Sequence, residues 1–370
     1  MNNPISRDRE NNFGFLRLLF ATLVILSHSP EMVDGNRSRE ILTRLFGTLS
    51  FGEVGVDSFF LVSGYLITLS LVQSKSNLEY LLKRVLRIYP GYIAAFLFSL
   101  FIVGPLAGGT NADLRSMVLN SKLIEHLLLL DKPELKSAFQ NLPKPYLSGT
   151  MWSLAYEFRC YIVLMILGAV GVLRQRKLVL AITVLLLQAL VVAHINYGFI
   201  AQHTPIASPL IHFFGDPIGN VRCYTCFFCG SCFFLFSDKI VYHSRIAIIA
   251  AAVLFNLMFA YQLAEAAFAV LGGYILFWFA LSFKSAFLGR VGSRNDLSYG
   301  IYLYAWPIQN LLIWHFRHIS PWLLFVIALP VSGVFAFGSW VCVERPFIRL
   351  KGRLRFTNKN LALATIPSNP

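Results

Sequence analysis

The feature that most constrains this chain is a recurrence of long apolar stretches, each about the length of a membrane crossing. A helix needs roughly 17–25 apolar residues to span a hydrocarbon core about 30 Å thick. Ten such segments are read, at 13–29, 49–72, 88–107, 150–173, 178–194, 221–236, 246–260, 263–281, 297–316 and 322–342. Charged residues make up only 14% of the 370, against 56% hydrophobic. A soluble domain carries about 25% charged residues, so the chain is too poor in charge to stay dispersed in water. The expectation is an all-α integral membrane protein of about ten transmembrane helices. A single domain would occupy 1–350, followed by a basic tail at 351–370. The stretch Leu114–Leu130 carries Arg115, Lys122, Glu125 and His126 and is read as an amphipathic segment of a loop.

The net charge of +14 would suggest a nucleic-acid partner on a soluble protein. Its distribution gives a different reason. If the segments cross alternately, twenty of the 32 Lys and Arg fall on one side with both termini, and nine fall on the other. Basic residues gather on the cytoplasmic side, which places both termini there and leaves the charge without need of nucleic acid. Five of the nine, including Lys132 and Lys144, lie in the 108–149 loop, where this rule is weak. Arg7 and Arg9 ahead of an apolar run resemble a signal peptide. However, Arg17 interrupts the run, and Ser27-His28-Ser29-Pro30 is a poor cleavage site.

Ionisable side chains at membrane depth are expensive and mark either function or pairing within the bundle. Here they are Arg17, His28, Glu53, Asp57, Glu157, Arg159, Arg222 and Glu265. Arg17 and His28 are eleven residues apart on one segment. On a helix that leaves them within about 20° of one face and separated by about 16 Å. Imidazole titrates near neutrality, so His28 is a candidate general base toward a hydroxyl. The alternative is a hydrogen-bonded interface histidine.

Glu53 and Asp57, four apart, present two carboxylates on one face, amid glycines and Ser63 that also permit close helix packing. Lys83, Arg84 and Arg87 precede Ile88-Tyr89-Pro90, and such a cluster either clamps phosphates or anchors the inner face. Trp152-Ser-Leu-Ala-Tyr-Glu157-Phe-Arg159 puts an acid and a base two apart, so they face different ways. Glu157 is a candidate for orienting a histidine, holding a substrate hydroxyl or pairing with another helix. Cys223, Cys226, Cys229 and Cys232 spread over half a helix circumference and lack the closing Cys-Pro of a cluster run, which favours packing over metal. The other histidines (126, 194, 203, 212, 243, 315 and 318) share no spacing.

Taken in order, these pieces form a specific set: Arg17-x10-His28, Gly55-Val-Asp-Ser-Phe-Phe-Leu-Val-Ser-Gly-Tyr65, Lys83-Arg-Val-Leu-Arg-Ile-Tyr-Pro90, Met151-Trp-Ser-Leu-Ala-Tyr-Glu157, Leu297-Ser-Tyr-Gly-Ile-Tyr-Leu-Tyr304 and Glu344-Arg-Pro346. The set resembles the transmembrane acyltransferase-3 family, bacterial inner-membrane enzymes that O-acylate glycans, over about residues 10–350. The resemblance implies a ten-helix multi-pass protein of the bacterial inner membrane. It implies acetyl-CoA as cytoplasmic donor and a cell-envelope polysaccharide or lipid-linked glycan as acceptor.

Carried onto this sequence, it implies catalytic roles for Arg17, His28, Glu157 and Asp57, and binding of the CoA phosphates by Arg84 and Arg87, with Lys83 beside them. Ser63, Gly64, Tyr65 and Trp152 belong to its substrate or packing motifs, and no metal is implied. Many members have a histidine before Trp/Phe-Pro where this chain has Ala305-Trp306-Pro307. A second reading from a different class is a transporter or flippase of a lipid-linked sugar, using the same polar track without chemistry.

Overall fold

The structure is a computed structural model that describes residues 11–119, 122–196, 216–292 and 295–350. The basic tail, Arg7, Arg9, Arg294, His203 and His212 lie outside the described residues. Within them the protein is all helix, with no strand. The principal helices are α1 (Phe13–Asp34), α2 (Phe51–Val72), α3 (Asn77–Leu106), α4 (Trp152–Ala169), α5 (Arg176–Ile195), α6 (Pro217–Leu235), α7 (Ser244–Leu257), α8 (Ala264–Leu281), α9 (Ser298–His315) and α10 (Pro321–Leu350). Eight of these are long and apolar enough to cross a membrane. The other two are α7, with 14 residues, and α9, which buries Ser298, Gln309 and Asn310 inside the bundle.

Each apolar segment lies on one of these helices, but two helices begin or end well outside the apolar run. The reading placed the start of the third segment at 88, whereas α3 begins at Asn77, where the Ser76 side chain accepts from the Glu79 N–H. Lys83, Arg84 and Arg87 are therefore on the helix rather than ahead of it. The first apolar segment is read to 29, yet α1 continues through Pro30 to Asp34 and stops at Gly35, whose φ is +76°. Membrane helices tolerate proline where neighbours re-satisfy the backbone. Pro30 leaves the Leu26 carbonyl without its helical donor, and next to it the Gln309 amide of α9 donates to the Ile25 carbonyl at 3.1 Å and to Ser29 Oγ at 2.8 Å. Leu114–Leu130 forms two short helices, Asn111–Leu119 and Lys122–Leu129.

Small residues set the closest helix contacts, as expected where lipid gives helices no hydrophobic reason to associate. A Cβ on Gly64 of α2 would fall 1.8 Å from the Phe227 carbonyl oxygen of α6. One on Gly230 of α6 would fall 2.0 Å from that of Leu61. Cys223, Cys226 and Cys229 are buried on α6, as free thiols. Tyr65 packs its ring against Phe13 and Phe277, with centroids 5.8 and 5.0 Å away. Of the α2 motif, Gly64 and Tyr65 thus belong to packing.

The predicted outcome is that Gly64→Ala lowers the thermal unfolding midpoint of the detergent-solubilised protein, by about 1–3 kcal/mol of overpacking. An unchanged midpoint would show that α2 and α6 are not in backbone contact.

Candidate active site

Two cavities open at opposite ends of α1, and α1, α4 and α9 wall both. The first, of about 150 Å³, is lined by Arg17, Ser63, Arg84, Arg87, Glu157 and Tyr161, among others. Arg84 and Arg87 are one helical turn apart and so face the same way. Arg17 Nη1 lies 3.1 Å and Arg87 Nη2 2.7 Å from the same oxygen of Asp296. Arg87 Nη1 is also 3.5 Å from Glu344, on the last turns of α10. Neither carboxylate is among the walls. Among the described residues Arg84 donates to Ser70 Oγ alone, at 3.2 Å. The Nε atoms of Arg17 and Arg84 are buried without a hydrogen-bond acceptor among the described residues. Glu157 accepts from Ser63 Oγ at 2.9 Å and from the Tyr161 hydroxyl.

The second cavity, of about 530 Å³, is lined by His28, Glu31, Lys144, Trp152, Arg159 and Trp306, among others. His28 Nδ1 lies 3.3 Å from Glu31 Oε2, and its ring meets Trp306 edge to face at 4.9 Å. Glu31 is held in turn by Arg37 Nε at 3.1 Å and Lys144 Nζ at 3.0 Å. Trp306 donates from its indole N–H to the Tyr146 carbonyl at 3.1 Å and lies on the bare Cα of Gly149, where a Cβ would be 2.4 Å from the ring. On the wall of the first cavity, the Tyr302 hydroxyl donates to the Thr150 carbonyl at 2.8 Å and sits 2.6 Å from Ser153 Oγ.

The sequence-predicted residues thus separate into groups. Arg17, Arg84, Arg87, Ser63 and Glu157 come together in the arginine cavity, and His28 and Trp152 in the histidine cavity. As their spacing required, Glu157 and Arg159 face different cavities. Lys83 is drawn away into an ion pair with Glu79 and lines neither. Asp57 does not reach His28. It holds Arg222 of α6 in a two-point pair at 2.8 and 3.0 Å, because a carboxylate buried between helices needs a cation. Glu53 caps α2 through Ser50 and pairs with Arg37 at 3.0 Å.

Glu31 and Asp296 were missed. Glu31 lies beyond residue 29, where the first apolar segment is read to end, and its signal was the i+3 spacing from His28. Asp296 precedes Leu297-Ser-Tyr on a short loop, and its signal was an acid at a helix start facing basic clusters.

Comparison with known proteins gives this arrangement a family. The acyltransferase-3 family model, described as an acyltransferase domain, matches residues 10–342. The chain belongs to that family. It is 25% identical over 343 residues to the O-acetyl transferase of Shigella phage Sf6, covering 92% of this chain and 96% of that protein. It is 28% identical over 373 residues to nodulation protein 10 of Rhizobium leguminosarum bv. viciae, covering 95% and 97%. No solved structure matches significantly.

Family membership makes the chain an acyltransferase, so the transport reading loses its basis. In this acyltransferase Ala305 is buried in the core and lines neither cavity. The residue after it, Trp306, is the one that reaches the histidine.

Burial alone would raise the Asp296 carboxyl, but Arg17 and Arg87 hold it below its ordinary 3.8, at about 2. A depressed carboxylate stabilises the fold fully above its unfolded pKa and loses that contribution as pH falls through the folded one. The stability gap between wild type and Asp296→Asn is therefore expected to be constant above pH of about 4 and to close between about 4 and 2. A gap that does not change over that range would contradict the shared ion pair.

Proposed function

We propose that this acyltransferase moves an acetyl group from acetyl-CoA to a hydroxyl of a cell-envelope glycan at the bacterial inner membrane. The observation that carries the reading is that a single helix, α1, offers Arg17 to a cationic cavity at one end and His28 to an aromatic cavity at the other. The donor enters from the cytoplasm, on the side that the basic residues favour. Arg84 and Arg87 hold its phosphates through charge-assisted hydrogen bonds. The Nε donors of Arg17 and Arg84 have capacity to spare for this. At about 150 Å³ the cavity takes phosphate or acyl groups rather than a whole cofactor. The acyl arm then passes the Tyr302–Ser153 contact toward His28.

Glu31 on Nδ1 fixes the His28 tautomer, with Nε2 making no hydrogen bond among the described residues. Nε2 takes the proton of the acceptor hydroxyl as that oxygen attacks the thioester carbonyl. The new C–O bond forms, the C–S bond breaks, and CoA leaves as a thiolate that regains a proton. Glu31 offsets the positive charge that His28 acquires. A transient acetyl group on His28 would use the same atom.

Purified in nanodiscs, His28→Ala should lower kcat by about 10²–10⁴-fold with an unchanged thermal midpoint. Arg84→Ala and Arg87→Ala should each raise KM for acetyl-CoA about tenfold, the loss of one charged hydrogen bond. Full kcat in the first variant would remove the base, and an unmoved KM in the other two would remove the phosphate clamp.

A further inference from the structure

We propose that the segment 143–149 is a rigid strap that aims His28, and that Lys144 and Trp306 are the positioning residues through which it acts. This rests on the reading that His28 takes a proton from an acceptor hydroxyl. An imidazole held at one nitrogen still turns about that hydrogen bond, so its other nitrogen is aimed only when a second contact fixes the ring plane. His28 has both contacts. Nδ1 lies 3.3 Å from Glu31 Oε2, and the ring stands at 74° to that of Trp306, with centres 4.9 Å apart. One stretch of chain holds both partners.

Lys144 Nζ binds Glu31 Oε1 at 3.0 Å, which leaves Oε2 to His28 and Arg37. The Tyr146 carbonyl accepts the Trp306 indole N–H at 3.1 Å, and Gly149 makes room for the ring, since a Cβ there would be 2.4 Å from it. One turn along α9, the Asn310 amide donates to the Lys144 and Tyr146 carbonyls, both at 2.9 Å. At its other end the strap rests on α1, where a Cβ on Gly35 would stand 3.2 Å from Pro143. Pro143 and Pro145 flank Lys144. Their rings fix φ near about −65° and keep the residue before each out of helical backbone. Trp306 also packs with Met32, Ile313, Ile319 and Leu324, an apolar cluster separate from the main core. The strap is thus fastened to the end of α1 and to α9, and each fastening bears on His28. Misplacing a reacting atom by about 1 Å costs about 10²-fold in rate, which gives such a frame its value.

The test uses the full-length protein in nanodiscs with isotopically labelled histidine nitrogens, the His28 signals being those lost in His28→Gln. NMR spectra taken without substrate report which ring nitrogen carries the proton, so the result does not depend on transfer. Wild type is expected to hold a single neutral tautomer, protonated on Nδ1. Lys144→Met and Trp306→Leu should each give a mixture of tautomers and lower kcat about 10²-fold, with KM for acetyl-CoA unchanged. Lys144→Arg keeps a charge on Glu31 and Trp306→Phe keeps a ring beside His28, so both should restore the single tautomer and most of kcat. Gly64→Ala, which loosens the α2–α6 contact instead, should leave the His28 signals as they are.

A single unchanged tautomer in Lys144→Met overturns the proposal even where Trp306→Leu does not fold, because the Lys144 side chain lies outside the core. A mixture that Gly64→Ala produces equally also overturns it. A mixture in the strap variants with full kcat would instead overturn the reading of His28 as the base and leave the strap assignment standing.

Discussion

An arginine and a histidine on one membrane helix each require an opposite charge, and much of this bundle is arranged around the carboxylates that supply it. Arg17 meets Asp296 from the loop before α9, and His28 meets Glu31 one turn further along α1. Both carboxylates are shared. Asp296 also holds Arg87, and Glu31 also holds Arg37 and Lys144. Uncompensated charge at this depth costs several kcal/mol. The positions of α3, α9 and two loops are therefore tied to the two ends of α1.

A second chain of pairs runs alongside. Arg37 reaches from Glu31 to Glu53, and Arg222 joins Asp57 with Glu53 and Glu265, the last bound by His194 at 2.8 Å. Glu53, Asp57, Arg222 and Glu265 stood out in the sequence because they are ionisable and lie within apolar segments. They form the internal charge lattice on which α2, α6 and α8 pack. Of the arginines that line the first cavity, Arg17 and Arg84 each keep an Nε without a hydrogen-bond acceptor among the described residues.

Helix positions were legible in the sequence because hydrocarbon thickness imposes a length that few other constraints imitate. Helix ends were not, since a membrane helix continues past the apolar run. That is why Arg84 and Arg87 proved helical, and why Glu31, two residues past the apolar run, was not singled out. Arg17 and His28 were legible through their spacing, which fixes a shared face whatever surrounds them. Partner identity was not, because it depends on which distant segment packs alongside. The 94 positions between Ser63 and Glu157, or the 165 between Asp57 and Arg222, carry no local trace of their contact.

The account depends on one reaction drawing its donor from the arginine end of α1 and its acceptor from the histidine end. Sealed vesicles in which the protein has a single orientation test this, with labelled acetyl-CoA confined to one face and the glycan acceptor to the other. The account predicts labelled glycan only when acetyl-CoA is on the face that carries Arg84 and Arg87, and none after His28→Ala. Transfer that requires donor and acceptor on the same face would contradict it.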